Sequence, residues 1–414
     1  MFLIQKVFRK CGYVVLFVIF LGYGPIPPYT NFTEVIQFAP TIPLEGTLVL
    51  EDKLKTSELY HKGDLIGAET FAQYDGELYA SLIKGEVVKL KENNEIETVV
   101  KTGNTCRGYF EEKLCGRAMG IKFDIHGNLF VADSYYGIFK VDVKTGTKEL
   151  LISPDEQIGG KKPKVFNSLA VAKNGDIYWS DSSSDFTFDD IVYDILSDSS
   201  GRLIHYNATS RENTILIDKM SFSNGVMLSD DEDFVINSEL LRNRIQRYHL
   251  KGTLKGTADI FIDGLPGMPD NIQSDGRGGF LVALYMGISD DNPSIIQLLG
   301  NKPFVRKIAA KFMGLIEFIF NILNEIYPTD FFQKITHFIG HGSSMKILNP
   351  SRVTVLRLSK EGEILDCLHN LNGRISQLSE AYIFKDKLYF GSPYNDFIGR
   401  ILLTEVGWGK LIQN

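Results

Sequence analysis

A two-strand unit that returns six times constrains this chain more than any other feature. A Gly or Asp turn leads into an alternating aromatic and aliphatic strand, and a second strand follows a few residues later. The copies read GELYASLIKGEVVKL from Gly76, GNLFVADSYYGIFKVD from Gly127 and GDIYWSDSSSDF…GRLIHYN from Gly175. They continue as DFVINSELLRNRIQRYHL from Asp233, GGFLVALYMG…VTVLRLS from Gly278 and DKLYFGSPYNDFIGRILL from Asp386. The spacing is about 50 residues, with one longer gap before the last copy. A unit of this size cannot bury both faces of its sheet alone, so six of them predict an all-β, six-bladed propeller. A β-sandwich also spaces its strands evenly, but it does not repeat one unit six times.

In a propeller, equivalent positions of the repeats converge on the central channel. Counting back from each turn residue gives Glu69, Met119, Asn167, Asn224, Asp270 and Glu380, with Asn271 beside Asp270. All but Met119 carry a side-chain oxygen. Any one of them also reads as a turn residue, Asn224-Gly225 most plainly. Agreement in register across repeats points instead to a metal site. Hard oxygen donors with at least two carboxylates, Glu69 and Asp270, suit calcium, and the expected ligands are Glu69, Asn167, Asn224, Asp270 and Asn271.

The net charge of −7 and the lack of a basic stripe argue against a nucleic-acid partner. The N-terminus carries a compartment signal. Lys6, Arg9 and Lys10 precede an apolar run from Cys11 to Tyr23, and Pro25, Pro27 and Pro28 end any helix. A cleaved signal and a retained anchor fit this pattern equally; either puts the rest of the chain on the luminal or extracellular side. There, Cys106 and Cys115 read as a disulfide, two free thiols being the alternative. Cys11 lies in the apolar run and Cys367 has no evident partner. The sequons at Asn31 and Asn207 fit export and are candidate glycosylation sites.

The long gap interrupts the fifth repeat after what reads as its inner strand near Gly278, as a helical insert over 287–349. Its apolar residues Phe304, Ile308, Phe312, Leu315, Ile319 and Leu323 recur at spacings of three and four. This stripe predicts a helix packed on the propeller, a lid over the channel, or a helix in contact with a membrane. His337 and His341 are four apart, but nothing nearby in sequence completes a zinc site. There is no G-x-S-x-G elbow, Walker loop or H-E-x-x-H motif.

Four segments, CGRAMGIKFDIHGNLFVADSYYGIFKVD, FSNGVMLSDDEDFVINSE, GLPGMPDNIQSDGRGGFLVAL and LSEAYIFKDKLYFGSPYNDFIGR, resemble the strictosidine-synthase-like family, in particular its adipocyte plasma membrane-associated and hemomucin-like branch. The likeness covers about residues 45 to 405. It implies a six-bladed propeller over 41–414 behind a cytoplasmic tip, signal anchor and stalk over 1–40. The protein would then be a single-pass type II membrane protein, with secretion as the alternative. The resemblance also implies weak arylesterase-type hydrolysis and a calcium centre like that of paraoxonases and gluconolactonases, matched by Glu69, Asn167, Asn224, Asp270 and Asn271. Met119 stands where paraoxonases place a His base, and Glu380 matches the acid/base glutamate of plant strictosidine synthases. The expected function is metal-assisted hydrolysis of an ester or lactone, with Asp270 and Glu380 as candidate catalytic residues. The alternatives are a calcium-stabilised cell-surface binding propeller and a strictosidine-type amine–aldehyde condensation through Glu380.

Overall fold

The computed structural model describes residues 2–289, 291–344 and 352–411. Its strands form six four-stranded antiparallel sheets, five of them sequential meanders and the sixth completed by the N-terminal strand. The first strands of the blades, Phe71–Tyr74, Ala118–Phe123, Phe166–Val171, Ser223–Leu228, Gly267–Ser274 and Glu380–Phe384, pack on one another around the whole ring. These are the innermost strands. The two-strand unit visible in sequence is therefore the second and third strand of each blade. The strand after Gly278, Phe280–Gly287, is a second strand and not the inner one. The pattern starts one strand late because the second strands are sandwiched between neighbouring blades. Leu129–Asp133, Ile177–Asp181 and Phe234–Glu239 are buried along their whole lengths. The first strands carry polar residues and bulges that break the alternation.

Apolar clusters fill the spaces between blades. Between the second and third, Phe166 stacks on Trp179 with centroids 4.8 Å apart, and Phe130 and Ile204 complete the layer. The ring closes by pairing its two ends. Glu58–Tyr60 lies antiparallel to Ile398–Leu402, with Tyr60 opposite Ile398, so the N-terminal strand supplies the outermost strand of the sixth sheet. Arg400 lies 3.6 Å from the centre of the Tyr60 ring and pairs with Glu58.

The chain between the second and third strands of the fifth blade carries helices Ile295–Leu299, Pro303–Ile326 and Asp330–Gly340. The part of the predicted insert at 345–349 lies outside the described residues. The long helix does not sit on the propeller through its apolar stripe. Its buried residues are Arg306, Ala310, Lys311 and Gly314. Nη1 of Arg306 donates to the carbonyls of Leu196 and Ser197 at 2.9 and 2.8 Å, and Lys311 donates to those of Gly24 and Ile26 at 3.2 and 2.9 Å. Polar side chains win this face because the surface they meet offers unpaired carbonyls. The apolar stripe turns outward, where Phe304, Phe312, Ile319 and Leu323 remain exposed.

The N-terminal helix Phe2–Tyr23 packs on this same stripe through Phe17 against Phe312 and Tyr23 against Phe304. It leaves Val14, Leu16 and Phe20 exposed. Among the described residues no helix is long and apolar enough to cross a membrane. The stretch expected as a stalk lies along the propeller. Phe32 and Ile36 are buried, Ile36 N–H donates to Gly300 O at 3.0 Å, and Glu34 pairs with Arg242. Of the two sequons, Asn31 is exposed and Asn207 half-buried.

Candidate functional site

Of the residues reached by counting back, Glu69 lies just before an innermost strand, Glu380, Met119, Asn167 and Asn224 at the first or second residue of one, and Asp270 midway along Gly267–Ser274. Bulges fall at Ala118/Gly120, Phe166/Leu169, Ser223/Val226 and Pro269/Ile272, where Met119, Asn167, Asn224 and the Asp270–Asn271 pair lie. An extra residue in one strand re-aims its side chain, and here four consecutive blades do this at the same level. The ring is tight at that level. A Cβ on Gly120 would come 2.4 Å from Asn167 O, and one on Gly225 would come 2.5 Å from Asp270 O. Only glycine lets these inner strands approach so closely.

Glu69, Met119, Asn167, Asn224 and Asp270 line one cavity of about 100 Å³. The four polar residues are each 4 % exposed or less. Glu69 Oε2, Asn167 Oδ1, Asn224 Oδ1 and Asp270 Oδ1 have no hydrogen-bond partner, although buried polar atoms ordinarily find one. The surroundings hold them in place. Asn167 donates through Nδ2 to Ser182 Oγ at 3.0 Å, which leaves its oxygen free. Ser379 and Ser238 donate to the backbone oxygens of Glu69 and Asp270, both at 2.7 Å. The walls are apolar, with Phe188, Phe222, Leu240, Met268 and Ile296 among them.

Charge in this cavity is under-compensated. Burial pushes the Glu69 carboxyl up to about 7 against the pull of Arg117, whose Nη2 lies 3.5 Å from Oε2. Burial, and then the neighbouring Glu69, push Asp270 well above the usual carboxylate range. Hard, buried, partnerless oxygens bearing two carboxyls are a donor set that fits a calcium ion.

Two expected residues lie apart from the cavity lining. Asn271 is buried beside it; its N–H donates to Ser379 O at 3.0 Å and its Nδ2 has no partner. Glu380 is fully buried and accepts hydrogen bonds from Phe71 N–H and Gln273 Nε2. Burial raises it to about 7. Cys106 and Cys115 form a disulfide, and Cys11 and Cys367 are free. Sequence proximity was the wrong test for His337 and His341. In the fold, Glu112 joins them in a buried group whose ligand atoms all lie within 4.8 Å of one another. Glu112 sits 225 residues before His337 and outside the repeat, so no spacing signals it.

The strictosidine synthase family matches residues 167–253. The adipocyte plasma membrane-associated protein hemomucin of Drosophila melanogaster is 37% identical over 95% of this chain and 69% of its own length. The adipocyte plasma membrane-associated protein of Rattus norvegicus is 32% identical over 87% of this chain and 90% of its own. Among solved structures, a Xanthomonas campestris gluconolactonase superposes with a TM-score of 0.52 at 13% identity, covering 92% of this chain and 99% of that one. A luciferin-regenerating enzyme gives 0.51 at 12%, covering 84% and 95%. At such identities these structures establish the propeller fold alone. With relatives at least 30% identical along nearly its whole length, the chain belongs to the adipocyte plasma membrane-associated protein (hemomucin) family of strictosidine-synthase-like propellers.

Proposed function

We propose that the chain is a calcium-dependent hydrolase of apolar esters or lactones. The observation that carries this reading is the set of four partnerless oxygens, on Glu69, Asn167, Asn224 and Asp270, beneath an apolar cavity. These residues, with Asn271 beside them, would hold the ion. Calcium bound there supplies a Lewis acid for a substrate carbonyl. The apolar walls select a hydrophobic acyl or aryl group and exclude bulk water. Asp270 lines the cavity and is the residue placed to orient a water and accept its proton. Its ionised form depends on positive charge nearby, since burial and Glu69 both oppose it. With Met119 where a His base would stand, proton transfer is the weak step, and slow turnover is expected. Glu380 is tied to Phe71 and Gln273 and does not line the cavity, which argues against a strictosidine-type role.

The part of the insert over 291–344 acts as a cover, because Ile295, Ile296 and Gly342 contribute to the cavity wall. Its outward apolar stripe and the exposed face of Phe2–Tyr23 form one surface that suits a membrane interface. This supports a propeller held at the luminal or extracellular face by a retained N-terminal segment; a mature N-terminus near Pro25 would refute retention. For the chemistry, calcium is titrated into the chelator-treated full-length chain while melting and aryl-ester hydrolysis are followed. Both should rise together. A rise in melting without hydrolysis leaves a calcium-stabilised binding propeller, and no change in either refutes the metal site.

A further inference from the structure

Glu112 lies in the short helix Glu112–Cys115, which the Cys106–Cys115 disulfide ties to the loop leading into the second blade. His337 is near the end of helix Asp330–Gly340, and His341 follows one turn later, so both rings leave the same side. The three side chains are 1 %, 6 % and 1 % exposed. Oε1 of Glu112 lies 3.5 Å from Nε2 of His337 and 3.3 Å from Nε2 of His341. Both distances exceed an ordinary N–H···O bond of about 2.7–3.2 Å. Neither carboxylate oxygen and neither Nε2 has a hydrogen-bond partner.

These separations have another meaning. Zinc bonds of about 2.0–2.1 Å in a tetrahedron place neighbouring ligand atoms about 3.3–3.4 Å apart. The two imidazole rings stack, with centroids 4.3 Å and planes 26° apart, and the ligand atoms of all three residues lie within 4.8 Å of one another. Nδ1 of His341 is held by Ser343, lying 2.8 Å from its Oγ and accepting from its backbone N–H at 3.3 Å, which fixes the ring's orientation. Arg117 approaches the other carboxylate oxygen, Oε2, at 4.0 Å and so leaves Oε1 to the two rings.

We infer that Glu112, His337 and His341 bind a zinc-class dication that staples the helices of the fifth blade to the disulfide-closed loop of the second. Two imidazoles and one carboxylate select against calcium and for zinc, and three protein ligands leave a fourth position for water. Arg107 already joins the same two elements, pairing with Asp330 and donating to Gln333 Oε1 at 2.9 Å. The metal adds a link one residue before Gly342, which lines the cavity. The staple is thus a means of fixing the cover, and it stands whether or not the inner-strand oxygens bind calcium.

The test uses the full-length chain in detergent, freed of zinc with 1,10-phenanthroline while calcium is kept present. Zn²⁺ should bind at one equivalent per chain and raise the melting temperature, and Co²⁺ should give the intense visible d–d bands of a four-coordinate site. His341→Ala and Glu112→Gln should each weaken Zn²⁺ binding at least ~100-fold and abolish the Co²⁺ bands. Wild-type protein that fails to bind either ion with a Kd below ~10 μM overturns the inference even if both variants misfold. So does unchanged binding in the folded variants.

Discussion

The cavity floor and the cluster at its rim are both buried sets of partnerless donors, yet they are built in opposite ways. The floor takes one oxygen from each of four sites: Glu69, just before the first blade's inner strand, and the bulges at Asn167, Asn224 and Asp270. Its geometry is complete once the ring of inner strands closes. The rim takes Glu112 from a loop and His337 and His341 from a helical segment. Its geometry exists only while that segment is docked. Donor chemistry follows the same division, with hard oxygens below and imidazoles above. An all-oxygen set borne by the ring of inner strands suits a constitutive ion, and a set shared by two separate elements suits a clasp. One residue belongs to both. Arg117, fully buried, lies 3.5 Å from Glu69 Oε2 and 4.0 Å from Glu112 Oε2, and packs against the rings of Phe188 and Tyr394.

Arg117→Met is therefore the strongest way to break the comparison. It strips two buried carboxylates of their shared cation, and chemical denaturation should report a loss of about 3–5 kcal/mol. A loss under 1 kcal/mol would mean that the two sites are not electrostatically joined. Next in size is the calcium effect. At a calcium concentration 100 times Kd, the wild-type chain should gain about 2.7 kcal/mol, and Asn224→Ala and Asp270→Ala should lose this gain. Asp270→Asn should carry the opposite sign without calcium and melt higher than wild type near pH 8, because it removes a buried charge. The pH dependence sharpens this further. Glu69 and Glu380 are both raised from 4.5 to about 7, so the calcium-free fold binds more protons than the unfolded chain between those values. Its stability should be greatest below about pH 4.5 as far as these groups are concerned, and fall as pH rises through about 7. Calcium affinity should climb over the same interval. Melting curves that are flat with pH in chelator would refute the shifts.

Removing the Cys106–Cys115 bridge with paired serines should cost about 2–3 kcal/mol for so short a loop. It should weaken metal binding at the rim and leave calcium affinity unchanged. Equal losses at both sites would erase the distinction between ring and clasp. The smallest effect is expected for Glu380→Gln, with calcium affinity and ester turnover within about threefold of wild type, because Glu380 does not line the cavity. A loss of turnover near 100-fold would restore it as an acid/base.

The floor was legible because repetition reports it. Asn167, Asn224 and Asp270 recur eight or nine residues before the turn, and a propeller converts near-equal offsets into one ring. Strand identity was less legible. The fully buried second strands show the clear pattern, while bulges mask the inner strands that hold the site. Glu112 was invisible, since burial and a partner far along the chain leave no local trace. The stripe of the long helix did not by itself say which face meets the propeller. Apolar residues announce themselves by periodicity, but Arg306 and Lys311 face inward because unpaired carbonyls await them there, and no hydropathy pattern records that.

The pairing of Glu58–Tyr60 with Ile398–Leu402 also sets a schedule for synthesis. Glu58 and Arg400 are 342 residues apart. At about 5–20 residues per second, the closing strand leaves the ribosome roughly 20–70 s before its partner exists. For that interval both the N-terminal strand and the growing stack of blades present unpaired backbone edges to the compartment in which the chain folds. The chain is thus most exposed to misassembly late in translation, when nearly all of its core has formed but its two ends have not met.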